Sequence, residues 1–77
     1  MKKITLTKMA PGKKAKVSEL SGGFALKHRL MSMGIYPGKE ITKLSHFALR
    51  GPVMIKVGRG TIALGHSMAG KIIVEIE

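Results

Sequence analysis

The stretch Arg29-Leu30-Met31-Ser32-Met33-Gly34-Ile35-Tyr36-Pro37-Gly38 holds the end of a helix, a stop and the entry to a strand within ten residues. Leu26, Leu30 and Met33 recur at helical spacing, so one stripe of the segment before the stop faces a core. Gly34 stands where a left-handed residue closes a helix without steric cost. Pro37 presets φ for the first central position of a turn and Gly38 tolerates positive φ at the second, so the chain re-emerges as an extended run.

Upstream, Ile4 and Leu6 alternate with polar neighbours as a short strand, and Ala10-Pro11-Gly12 turns it. Residues 13–20 set Ala15 and Val17 against Lys14, Lys16 and Ser18, the period of two of a half-buried strand. Ser21-Gly22-Gly23 then breaks the pattern and leads into a helix over 24–33. Downstream, the run 39–46 puts Ile41 and Leu44 on opposite parities, which demands a bulge or burial on both faces. Residues 47–52 form a loop. Val53, Ile55 and Val57 alternate cleanly, and Gly58-Arg59-Gly60 connects them to a returning strand with Ile62 and Leu64 inward. Ser67 is placed to cap one helical turn through Ala69, and residues 71–77 close with Ile72, Val74 and Ile76 on one face.

Five to six short strands and one short helix in 77 residues predict a mainly β fold of one domain, 1–77, without repeats or a linker. Such a chain buries one small core. A small barrel suits it, because curling the sheet on itself covers edges that invite aggregation, and glycines permit the corners.

Fourteen Lys and Arg against four Glu give a formal charge of +10, which favours anionic partners: nucleic acid, phospholipid head groups or an acidic protein face. The densest cluster, Lys13-Lys14-Ala15-Lys16, is short, and a solvated face accounts for such a run equally well. There is no cysteine, so no disulfide framework and no thiolate metal site. Met1-Lys2-Lys3 resembles the start of a signal peptide, but Thr5, Thr7, Lys8 and Pro11 interrupt the residues after it and no apolar run approaches a membrane span. A cytoplasmic location is expected.

Catalysis has little to stand on: no Asp orients a histidine or binds magnesium, and Glu19, Glu40, Glu75 and Glu77 are scattered near strand ends and the terminus. No catalytic residue is assigned, and no enzyme is expected. His28, His46 and His66 fall in three different elements with no acidic neighbour, so they are read as surface histidines and no metal ligand is assigned. Met9, Met31, Met33, Met54 and Met68 offer soft sulfur, but in a small core methionine serves first to fill irregular gaps. Gly22-Gly23 and Gly58-Arg59-Gly60 lack the Lys-Ser/Thr of a phosphate loop, so no cofactor is assigned. A basic barrel binding nucleic acid through phosphate contacts is the rival reading, weakened because Phe24, Tyr36 and Phe47 are the only aromatics on which bases could stack.

The remaining candidates are surface residues suited to binding. With Leu26, Leu30 and Met33 inward, the helix turns Lys27, His28, Met31 and Ser32 outward, and Arg29 borders the stripe as a brace for the core. In the 47–52 loop, Phe47 or Leu49 beside Arg50 would make an apolar anchor with a charged rim. Partner binding is therefore assigned to Lys27, His28, Met31, Phe47, Leu49 and Arg50.

The Arg-Leu, hydrophobic-Gly-Ile and Pro-Gly of the decapeptide, in that order, resemble the signature of the ferrous iron transport protein A family, the FeoA-like proteins. Leu6, Pro11-Gly12, Val17 and Gly22-Gly23 upstream, and Ile41, Pro52, Ile55, Val57, Gly58, Ile62-Ala63-Leu64, Ala69, Ile72 and Val74 downstream, extend the resemblance over nearly the whole chain. It implies an SH3-like β-barrel with a helical insertion. It also implies a non-catalytic cytosolic adaptor of ferrous iron uptake that binds the cytoplasmic GTPase region of a membrane transporter of the FeoB type. A free-standing relative of the SH3-like domain of metal-dependent repressors, binding a peptide or another domain, is a further reading.

Overall fold

At the end of the first helix, α1 (Phe24–Ser32), the N–H of Ile35 donates to the carbonyl of Leu30 at 2.9 Å and the N–H of Gly34 to that of Met31 at 3.0 Å. These are the two bonds of a Schellman close, and Gly34 supplies its left-handed residue with φ of 89°. Leu30 and Ile35, one at each end of the longer bond, are both buried in the core. The chain then turns through Pro37-Gly38: Lys39 N–H donates to Tyr36 carbonyl at 3.0 Å, and Gly38 has φ of 95°, as a type II turn requires.

The computed structural model describes residues 2–46 and 50–76. Around α1 run β1 (Lys2–Thr5), a 3-10 turn (Leu6–Lys8), β2 (Lys14–Leu20), β3 (Glu40–His46), β4 (Val53–Val57), β5 (Gly60–Leu64), the helical turn α2 (His66–Ala69) and β6 (Ile72–Ile76). The six strands form one antiparallel sheet in the order β1-β6-β2-β3-β4-β5. β2, β4, β5 and β6 send apolar residues into one shared core, β3 adds Ile41 and Ile4 of β1 packs against it, with Leu6, Leu30, Ile35 and Ala69 closing it. The mainly β architecture with a helical insertion is the one the turn and strand pattern predicts. The sheet encloses its core by curling, and β1 and β5 remain its two ends.

Two bulges decide which residues face inward. Between β2 and β6 the register shifts between Val17 and Glu19, so that Leu20 follows Ala15 and Val17 into the core and Glu19 does not. Between β3 and β4 it shifts between Lys43 and Ser45. This resolves the opposed parities of Ile41 and Leu44. Leu44 is left 42% exposed, and the residue that shares the inner face with Ile41 is Lys43, only 1% exposed.

The buried Lys43 explains why the first strand stops early. The alternation of Ile4 and Leu6 predicts one strand, but β1 ends at Thr5 and Leu6 enters the 3-10 turn with its side chain in the core. Lys43 Nζ donates to the carbonyls of Leu6 at 3.0 Å, Thr7 at 3.1 Å and Met9 at 2.5 Å. An ammonium carries three protons, and here three backbone acceptors meet them. The Lys43 backbone holds the next stretch too: Gly12 N–H donates to its carbonyl at 2.6 Å, and its own N–H donates to Lys13 carbonyl at 3.0 Å.

Elsewhere the differences are small. The β4–β5 connection is two residues, Gly58-Arg59, with Gly60 already paired to Val57. Gly65 precedes α2 as its N-cap, without a side-chain cap, and Ser67 lies inside the turn.

Two substitutions test this scaffold. Gly34→Ala forces a side chain into the left-handed region and is expected to cost about 1–2 kcal/mol in urea denaturation; an unchanged midpoint would show that the helix close tolerates another conformation. Lys43→Met keeps the stem but withdraws the donors, and is expected to cost about 1–3 kcal/mol for the stranded carbonyls. A variant as stable as the parent would mean those carbonyls find other donors.

Candidate functional site

The outer face of α1 brings three of the assigned residues together. Lys27, His28 and Met31 are all exposed, and Met31 is 52% accessible despite its apolar side chain. Phe24, at the start of the same helix, is 88% exposed. Residues seven apart return to the same face after two turns, so Phe24 and Met31 line up with Lys27 and His28 between them. The opposite face is the anchor: Leu30 is buried, while Leu26 and Met33 pack partly buried against the core. Sequence reasoning counts Phe24 only as an aromatic available for stacking; the signal that it belongs to the outer stripe is its spacing from Met31.

Arg29 is not a brace for the core, because its side chain is exposed. The Ser32 hydroxyl donates to its backbone carbonyl at 2.7 Å, a local bond on the last turn of the helix. Arg50 is exposed in the connection entering β4, apart in the chain from the α1 stripe. Phe47 and Leu49 lie outside the described residues. Of the methionines, Met9 is buried and Met33 and Met68 pack against the core, whereas Met31 is free to serve a surface.

The histidines divide. His28 is exposed, but His46 and His66 are half-buried with ring centroids 5.9 Å apart, which the surface reading does not provide for. His46 Nδ1 lies 3.3 Å from Lys43 Nζ. A proton on Nδ1 would face the ammonium, so the contact favours the neutral ring. Burial lowers the His46 pKa below the ordinary 6.5, and the charges of Lys43 and then His66 add to the effect. Burial likewise lowers Lys43 from 10.5. Among the described residues no three His, Cys, Asp or Glu side chains are grouped as metal ligands. The His46–His66 pair does not fit a divalent cation either, since the Lys43 ammonium already faces one ligating nitrogen. Gly22 has φ of 103° and an added Cβ would meet Leu26 at 2.8 Å, so Gly22 serves the packing of α1, while Gly23 is the helix N-cap with open space beside it.

The model of the FeoA domain family matches residues 4–76. Among solved structures, the chain is similar to an iron uptake regulatory protein (FeoA), at 35% identity, 97% coverage of both chains and a TM-score of 0.87. It also resembles iron(II) transport protein A from Clostridium thermocellum at 32% identity and a TM-score of 0.86, covering 95% of this chain and 45% of that one. Stenotrophomonas maltophilia FeoA complexed with zinc, described as a prokaryotic SH3 domain protein for which a role as a ferrous iron transport activating factor has been put forward, shares the fold at 24% identity. There the TM-score is 0.81, over 94% of this chain and 89% of that one. No curated protein sequence matches the chain. Among the described residues, no helix is long and apolar enough to cross a membrane.

The histidine cluster carries a pH dependence whose sign is set by its geometry. Unfolded, His46 takes a proton near pH 6.5; folded, it does so only at lower pH, because the proton would sit in a shielded site beside an ammonium. Stability present above that value is therefore lost as pH falls from 6.5 through the folded pKa. Urea midpoints are expected to drop between about pH 7.5 and about pH 5, with a flatter profile for His46→Gln. Parallel profiles for the two proteins would assign the slope to another group.

Proposed function

This chain belongs to the FeoA family, and we propose that it is a non-catalytic accessory protein of ferrous iron uptake that binds the cytoplasmic part of a FeoB-type GTPase transporter. The observation that carries this is the outer face of α1: Phe24 and Met31 are exposed on one stripe with Lys27 and His28. An aromatic anchor with a polar and charged rim is the composition of interface hot spots, and here it stands on a helix whose other face is locked into the core. A rigid element presents such a patch at low entropic cost.

Docking through this face, with Phe47, Leu49 and Arg50 as a second contact, biases the transporter's conformation or its nucleotide cycle without supplying chemistry. The chain brings no Asp and no cysteine to a reaction, and its charge of +10 suits an acidic partner face. It acts on the cytoplasmic side, where the transporter's GTPase region lies.

A pull-down against that cytoplasmic region, at low and at near-physiological salt, tests the proposal. Phe24→Ser with Met31→Ser, both at exposed positions, is expected to weaken binding by about tenfold or more while the fold survives. Unchanged binding in that variant and in Phe47→Ala, Leu49→Ala, Arg50→Ala would remove both surfaces from consideration. Failure of the parent chain to bind either the cytoplasmic region or the full membrane protein would overturn the adaptor role.

A further inference from the structure

A groove of about 920 Å³ lies away from α1, lined by the start of β1 and β2, the end of β6 and the segment after the 3-10 turn. Ile4, Met9, Ala15 and Ile76 give it apolar lining; Met9 and Ala15 are buried, while Ile4 and Ile76 are half-buried. Five lysines, Lys2, Lys8, Lys13, Lys14 and Lys16, join them and outnumber the two carboxylates of the lining, Glu40 and Glu75. Lys16 stands across the ladder from Glu75 on one side and Glu40 on the other. Lys2 stands opposite Ile76 and Lys14 opposite Thr42, while Lys8 and Lys13 lie outside the ladder. A smaller hollow of about 290 Å³ shares Lys14 and Glu40 with the groove and continues to Lys39 and Lys56.

We propose that this groove binds an acidic peptide segment of the protein partner, its carboxylates on the lysines and its apolar side chains against Ile4 and Ile76. The inference rests on the adaptor role for the existence of a protein partner, and goes beyond it in naming a second surface and the chemistry that fills it. Charge complementarity selects an anion, and the apolar lining selects one that also carries hydrocarbon. Among the described residues no aromatic and no arginine lines the groove, so nucleic-acid bases have no stacking platform there and phosphates no bidentate fork. A flat membrane surface would rest on the lysine rim and leave the apolar lining uncovered. Lysine ammonium groups on flexible stems suit carboxylates at varied positions, and the attraction will weaken with salt.

The test is fluorescence anisotropy with a labelled peptide of Glu-Glu-Leu repeats about a dozen residues long. Its counterparts have Gln for Glu or Gly for Leu. The parent chain is expected to bind the acidic peptide at least about tenfold more tightly than the Gln peptide, and more tightly than the Gly peptide. Lys8→Ser with Lys13→Ser and Lys14→Ser, all at exposed positions, should lose about tenfold or more. Arg29→Ser with Arg59→Ser and Lys71→Ser, all at exposed positions, removes the same charge outside the groove and should bind as the parent does. Equal binding of the Gln peptide, no loss in the groove variant, or equal loss in the control variant would overturn the proposal. So would tighter binding of oligouridine RNA or of phosphatidylserine vesicles through the same three lysines. A failed peptide titration beside a successful transporter pull-down overturns the groove alone. Peptide binding beside a failed pull-down overturns the adaptor role and leaves the groove.

Discussion

An ammonium inside the barrel fixes the course of the first turn of this chain. Removing a charge from water is costly unless its protons are met, and the carbonyls of Leu6, Thr7 and Met9 meet all three on Lys43 Nζ. Those carbonyls belong to a 3-10 turn and its exit, where the Leu6 carbonyl also accepts the Met9 N–H at 3.2 Å. Each side therefore needs the other. The bulge at Leu44 is part of the same device: a slip of one residue in β3 would exchange Lys43 and Leu44, bury neither correctly and take the Lys43 donor away from three carbonyls. His46 extends the arrangement as a fourth, longer contact on a cation that already has its partners.

The features legible in the residues alone are those that chirality and turn chemistry enforce locally. Gly34 and Gly38 adopt positive φ where the spacing from Leu30 and Pro37 requires it, and β4 and β6 bury the alternate residues their pattern marks. The parity conflict in residues 39–46 announces a bulge, but not that a lysine takes the inner place. Nothing near Lys43 signals this, because its partners are backbone carbonyls 34 to 37 residues away, and every residue has a carbonyl. The pairing of His46 with His66 is hidden for the same reason, being made by the fold across the hairpin of β4 and β5. Of the assigned surface, Lys27, His28 and Met31 are fixed by the helical period. Phe24 escapes the assignment because it is weighed only as an aromatic on which a base could stack, whereas it lies at the first position of α1, seven residues before Met31.

The excess positive charge is thus distributed in different roles. One cation is internal and structural, one stands across the ladder from two carboxylates, and Lys2 and Lys14 have no opposite charge in register. Net charge describes none of these separately, which is why it suggests an anionic partner without locating the surface. The apolar residues divide in a similar way: Leu30, Ile35 and the strand faces hold the core, while Phe24, Met31 and Leu44 face water.

The order of strands in the sheet has a consequence for synthesis. β6, made after the other five strands, is neither at an edge nor beside its neighbour in sequence, but lies between β1 and β2. Until it emerges, β1 has no partner and β2 has only β3, while β3, β4 and β5 can already pair as two successive hairpins. The barrel therefore assembles from a local half that forms early and a long-range half that waits for the final strand. Contacts of high sequence separation are the slow ones to close. For a nascent chain, the exposed interval is the one in which Ala15, Val17 and Leu20 wait for Ile72 and Val74.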